Sequence, residues 1–385
     1  MAEARPDREY APQPSVFERW AARYLQRHNR HQAIPRRARD DQQLDAIRRT
    51  LHRSVAWSML AGILSGGAIG AMEWYMREGL LDGMQGMSLR EQLPYWTGFF
   101  VVAGVISAVE IAFLYWNALR GVGTISRQAG APLHASPKAR LVLLGLTRVA
   151  LEFPSPRHRI YGIDPYAQMS RWKLSVMAVM YRMKVGVSSF LLRVLLRRVL
   201  GRVALRGLLP LVMGPLYAAW NAIITWRILN KAREQALGPF AIEAQMESLE
   251  RDPLSERARQ VVLHSFGALI MANQDIHPNH VYLLLRLFET FGIQEHSIEV
   301  DWPQQRFALS RLERQEKHRV LDLLITATVI VGRCRSKRKR FLEELFEACD
   351  MAYPAEKIRR WRRQFMNGQR IGQRGSHSTS AQAYA

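Results

Sequence analysis

Glu110 is the residue whose type and setting first suggest chemistry. It stands inside the apolar run Tyr95 to Ala118, YWTGFFVVAGVISAVEIAFLYWNA, and a carboxylate within such a span is costly enough to be a functional candidate by default. It also lies about two turns from the basic end of that run, so a structural role, reaching Arg120 or headgroup water, is the expectation. His277 and His280 form an HxxH pair that could ligate a transition metal, but no third donor accompanies them. They read as surface histidines beside a helix start. Cys334 and Cys349, the only two cysteines, match neither a disulfide framework nor a zinc pattern and read as reduced core thiols. Asp164 in YGIDPY could pair with Arg157, Arg159 or Arg171; an Asp-Pro turn is the simpler reading. The spacings of a P-loop, HExxH, GxSxG, CxxC or kinase set are missing, and GVGTIS at 121–126 lacks the glycine and strand context of a dinucleotide site. The sequence therefore predicts a non-enzyme with no catalytic residue, no metal and no cofactor.

A second cluster concerns binding. Arg193, Arg197, Arg198, Arg202 and Arg206 recur in FLLRVLLRRVLGRVALRGLLPLVM at 190–213, with Leu192, Val199 and Val203 on the opposite side of a helix. A basic amphipathic helix of this kind lies in the membrane interface with its arginines among the headgroups. These five residues are the predicted contacts to anionic lipid. Nucleic acid is the other sink for positive charge, but large aliphatics alternate with the arginines where Ser, Asn, Gly and stacking aromatics would be expected. Nucleic-acid binding at the membrane is thus a minor alternative.

The elements that would position these groups follow from charge and hydropathy. The net charge of +22 is concentrated in residues 165–233, which hold twelve Lys plus Arg and no carboxylate. Residues 54–119 contain two apolar segments, Val55 to Met72 without a charge and Tyr95 to Ala118 with Glu110 alone, each about the ~20 residues that cross ~30 Å of hydrocarbon. Trp and Tyr mark their ends. Both long flanks are basic, whereas the connecting loop carries Arg77 and Arg90 against Glu78, Asp82 and Glu91. The positive-inside rule then predicts a two-helix transmembrane hairpin with both termini cytoplasmic, in the inner membrane. The fifty-odd mainly polar residues before it argue against a cleavable signal peptide. Gly62, Gly66, Gly67 and Gly70 in the first helix and Gly98, Gly104 and Ser107 in the second are expected to bring the two backbones together. The same small residues allow a homo-oligomer through the hairpin.

Residues 1–53 read as a basic cytosolic helical region and 120–233 as a basic, membrane-associated helical region. Within the latter, 207–226 is as long as a spanning helix but contains Pro210 and Pro215. A re-entrant hairpin is the first reading, and a spanning pair at 174–192 and 207–226 the second. From 234 to 366 the charges balance and amphipathic helices recur behind Ser255, Pro278 and Pro354, and 367–385 reads as a disordered tail. The whole is predicted to be all-α.

Within 234–366, the stretches MANQDIHPNHVYLLLRLFETFGI (271–293) and VIVGRCRSKRKRFLEELFEACDM (329–351) align without a gap. Met271, Ala272, Ile276, Leu283, Leu284, Gly292 and Ile293, with Phe341, Leu342 and Met351 in the second copy, resemble the repeat of the tellurite-resistance B-like (TerB-like) helical domain. In that family a loop Asp and a helix-start Glu of each repeat are candidate metal ligands. Here those positions hold Asn273 and His280, then Val331 and Arg338, with Asp275 the nearby carboxylate. The resemblance thus implies a helical domain degenerate at its acidic positions, a poor host for a hard cation. Combined, these features predict a membrane-anchored scaffold that recruits a cytosolic protein partner in an envelope-related process. The alternative is a transporter or channel component that handles an anion with Glu110 and the basic segment.

Overall fold

The computed structural model describes residues 13–29, 41–76, 88–133, 136–153, 159–166, 169–170, 172–176, 209–293, 302–334 and 336–372. The run from Arg193 to Arg206 lies outside the described residues, as do most of 174–192, the loop 77–87 and the tail from 373 on. Among the described residues the chain is all helical, with one isolated bridge between Ile160 and Ile163.

A short helix, α1 (Val16–His28), opens on a capping box in which Ser15 and Glu18 each satisfy the other's backbone N–H. Next come α2 (Asp41–Tyr75), α3 (Leu89–Gln128), α4 (Pro137–Ala150) and α5 (Leu209–Arg251). At 35, 40 and 43 residues, α2, α3 and α5 are each about 50–65 Å long, roughly twice the ~30 Å of a bilayer's apolar layer. Two of them, α2 and α3, are long and apolar enough to cross a membrane. The most apolar window of α3 is only 11% buried, whereas the core helix of a soluble protein would be mostly covered.

Helix α2 packs along both α3 and α5. Ser58 of α2 meets Asn117 and Thr225, while Gly121 of α3 approaches Ser54 and Leu229. Ascending numbers on α3 and α5 thus match descending numbers on α2. Helices α3 and α5 run parallel, and α2 is antiparallel to both.

Gly62 of α2 serves a different neighbour from the one expected, and Gly67 faces open space. A Cβ on Gly62 would stand 2.6 Å from Tyr217 C and Ala218 N of α5, and Gly214 of α5 faces the Ile63 carbonyl. Gly98 and Gly104 of α3 face open space. The close approach permitted by the glycines is therefore between α2 and α5. The hairpin partners α2 and α3 are held by side chains, including Ile69, Met76 and Phe99.

Beyond the apolar halves the three helices continue without a break into one hydrophobic core. It joins Leu25 (α1), Ile47 (α2), Val122 (α3), Leu146 (α4) and Ile242 (α5) to Phe266, Leu284, Leu324, Leu342 and Trp361. The last five belong to α6 (Glu256–Asn273), α7 (Pro278–Phe291), α9 (Arg314–Val329), α10 (Ser336–Glu347) and α11 (Ala355–Met366), with α8 (Trp302–Ser310) between α7 and α9. Boundaries placed by composition at 53/54, 119/120 and 233/234 fall inside α2, α3 and α5. Composition changes where the surroundings change, while the hydrogen-bonded helix runs on.

The internal repeat has a geometric counterpart. Helix α6 ends at Gln274 in the left-handed region (φ 53°), and the matching position after α9 is Gly332 (φ 123°). Helices α7 and α10 close at Gly292 (φ 67°) and Asp350 (φ 54°). Ser255 caps α6 by accepting from the Ala258 N–H, and Pro278 opens α7.

Candidate functional site

Polar groups collect at two buried places. The first is a seam among α2, α3 and α5. Asn117 donates to the Ser58 hydroxyl at 2.9 Å and to the Ser54 carbonyl at 2.8 Å. Thr225 donates to the same Ser58 hydroxyl at 2.7 Å. Two turns away, Asn221 donates its amide to Glu110 Oε1 at 2.7 Å. All of these side chains are buried. Each helix would be mostly apolar at this level, so a polar atom must find its partner on a neighbouring helix or remain unsatisfied. The seam therefore fixes which helices pair and at what height.

The partner the structure gives Glu110 is Asn221 on α5. Glu110 turns inward between the helices, 5% exposed, while the Arg120 guanidinium lies over the Trp116 ring at 5.3 Å. Asn221 was the missed residue. Its only signal is a carboxamide within the apolar run 216–226, and its partner is 111 residues away in sequence.

The second place is the C-terminal end of α9, whose last carbonyls have no partners within the helix. Each is served by a different side chain. The His280 imidazole donates through Nε2 to Ala327 O at 3.0 Å, and Arg338 donates to Thr328 O at 3.2 Å. Arg362 donates to Val329 O at 2.6 Å, and Asn279 to Ile330 O at 2.8 Å. Asn279 also donates to Glu234 O at 3.0 Å, and the Glu234 carboxylate pairs with Arg362. Cationic side chains at this end complement the helix dipole. A Cβ on Gly238 would stand 2.3 Å from the Asn279 side chain, so only glycine lets α5 come this close.

His280 is therefore not a surface group, while His277 stands half-buried at the helix start as its N-cap. His280 is fully buried, and burial pushes its imidazole down to about 3, opposed by the Ala327 hydrogen bond and reinforced by Arg338. His277, whose Nδ1 accepts from the Asn279 N–H at 3.2 Å, is held well below the ordinary value by burial, then by His280 and the nearby cations. Both are neutral hydrogen-bonding elements around physiological pH.

The repeat-equivalent positions His280 and Arg338 thus reach adjacent carbonyls of one helix. A guanidinium stands at one of the positions where the family resemblance would call for an acidic ligand, so these residues do not suit a metal ion. No group of three or more His, Cys, Asp or Glu side chains at metal-binding spacing occurs among the described residues. Asp164 accepts from the Tyr166 N–H at 2.8 Å, the hydrogen bond of an Asx turn. Both cysteines are free thiols, Cys349 buried and Cys334 half-buried beside the Tyr353 hydroxyl, and burial raises both above the ordinary thiol value.

Among the described residues, fold and site together define an all-helical protein in which two helices long and apolar enough to cross a membrane are joined by a buried polar seam to α5, the helix that continues into the C-terminal helical unit. Comparison with protein-family models, with characterised proteins and with solved structures finds no match to this chain.

Proposed function

We propose that this chain is a multi-pass inner-membrane protein with both termini in the cytoplasm. It acts as a non-enzymatic scaffold that holds a TerB-like helical unit at a fixed pose on the membrane and recruits a cytosolic protein partner there. The observation that carries this reading is mechanical. Helix α5 runs unbroken from the seam beside Glu110, through Asn221 and Thr225, to the Glu234 and Ile242 contacts of the helical unit. With a core shared by α1 to α5 and the C-terminal helices, the unit cannot swing as a tethered domain would.

Transport of an anion is the competing reading, and Glu110 is the observation that keeps it in view. The two make opposite demands on that side chain. Crosslinking in intact membranes with mass spectrometry should recover the same protein partners from wild type and Glu110→Gln. Reconstituted vesicles should pass no more anion than empty ones. An anion flux that disappears in Glu110→Gln would overturn the scaffold reading in favour of transport.

A further inference from the structure

The seam sets the relative height of α2, α3 and α5, and that height brings their outward residues into register. Ser58, Asn117 and Thr225 meet inside the bundle. Their sequence neighbours Trp57, Trp116 and Trp226 are all exposed on the outside, at 56, 44 and 50%. One helical turn further on, Gly121 meets Ser54 and Leu229 inside. The outward residues Arg53 and Arg120 at this level, and Arg227 between it and the tryptophan level, are again exposed on all three helices. A belt of three tryptophans is thus followed by a collar of three arginines, with exposed Arg49, Arg127 and Lys231 beyond it.

We infer that this collar is a binding site for the phosphate headgroups of anionic phospholipids in the cytoplasmic leaflet, an inference that rests on the membrane reading above. Tryptophan collects at the boundary between hydrocarbon and headgroups. Arg53 and Arg120, four residues past their tryptophans, are about 6 Å deeper into a headgroup layer roughly 5–8 Å thick on each side, and Arg227, next to Trp226, reaches the same layer through its long side chain. Guanidinium groups at that depth meet phosphate oxygens in a geometry that permits paired N–H···O bonds. The charge around them is of one sign, since residues 46–72, 111–133 and 209–233 contain no Asp or Glu. Among the described residues Arg53, Arg120 and Arg227 form no ion pair, while Arg286 in the helical unit is bound by Glu243, Glu250 and Glu289. The far ends of the apolar halves agree with this placement. Exposed Trp74 is 17 residues from Trp57 and exposed Tyr95 is 21 residues from Trp116, about 26 and 32 Å along the helix, which matches one ~30 Å hydrocarbon layer.

The test uses the full chain in nanodiscs of phosphatidylcholine containing one-fifth phosphatidylglycerol, with spin-labelled versions of both lipids reporting which is immobilised at the protein. Wild type should favour phosphatidylglycerol, and Arg53→Gln, Arg120→Gln and Arg227→Gln should each reduce that preference, on the order of five-fold per arginine at low salt. The triple Arg→Lys variant should keep part of it. Arg257→Gln/Arg340→Gln/Arg360→Gln, which removes the same charge from exposed positions of the helical unit, should keep all of it, as should wild type in millimolar inorganic phosphate. Equal loss in the two triple Gln variants would reduce the effect to net charge. Competition by inorganic phosphate would assign the site to a free anion. Either result, or no lipid preference in wild type, overturns the collar. Failure of the chain to enter nanodiscs, or its release from membranes by carbonate, overturns instead the membrane reading on which the collar rests.

Discussion

Replacing Gly62 with alanine probes the contact that holds α5 to α2. The added Cβ would lie 2.6 Å from Ala218 N and Tyr217 C, whereas ordinary contacts begin at 3.4 Å, so the helices must part by about 0.8 Å at that level. Because both obstructing atoms are backbone, no rotamer change relieves them. One turn away, the 2.7 Å hydrogen bond between Thr225 and Ser58 would stretch toward 3.5 Å and be lost. Overpacking costs about 1–3 kcal/mol and the lost hydrogen bond about 1 kcal/mol. Alanine's better helix propensity returns up to about 1 kcal/mol. Across 385 residues a net loss of about 1–3 kcal/mol corresponds to a melting midpoint lower by roughly 1–4 °C. The assay is thermal unfolding in detergent or nanodiscs, with Gly104→Ala as the reference. Gly104 faces open space, so that variant should melt at or slightly above wild type. If Gly62→Ala melts with Gly104→Ala, the α2–α5 contact is not the one described.

Acid should weaken the fold through the buried histidines. The unfolded chain protonates His280 near its ordinary value of 6.5, the folded chain only at about 3, so the unfolded state binds more protons between those limits. Stability is therefore full above pH 6.5 and falls as pH drops toward 3, by about 2 kcal/mol between pH 7 and pH 5 from His280 alone. Urea midpoints across that range measure it. His280→Gln, whose amide can still donate to Ala327 O, should flatten part of the slope, and an unchanged slope would contradict the assignment. At the other end of the same cluster, Asn279→Ala strips donors from Glu234 O and Ile330 O and should cost about 2–4 kcal/mol in urea unfolding. Asn273→Ala, which loses one partly buried bond to Asp275 O, should cost under about 1.5 kcal/mol; equal losses would show that the α9 end is not held by Asn279.

The parts of this architecture legible in the sequence were those with local signals. Apolar runs marked α2 and α3, and Ser255 and Pro278 marked helix starts that the structure places at α6 and α7. Pairings between distant residues were not legible. The continuity of α5 was hidden by Pro210, Pro215 and Asn221, each of which breaks an apolar pattern, although Asn221 belongs there because Glu110 waits for it on α3. His280 looked solvent-facing because imidazole is polar, but the α9 carbonyl that it serves from its buried position lies 47 residues away. Likewise, the glycines of α2 signalled a close approach without naming its partner, which is α5.

The parallel course of α3 and α5 gives all three long helices one polarity at this level. Both α3 and α5 meet a tryptophan before an arginine, Trp116 before Arg120 and Trp226 before Arg227, whereas antiparallel α2 meets Arg53 before Trp57. Whichever of the three is approached from outside the bundle, an aromatic ring lies on the side of the apolar half and a guanidinium on the side of the shared core. Chain direction alternates from helix to helix, yet the surface they present together does not.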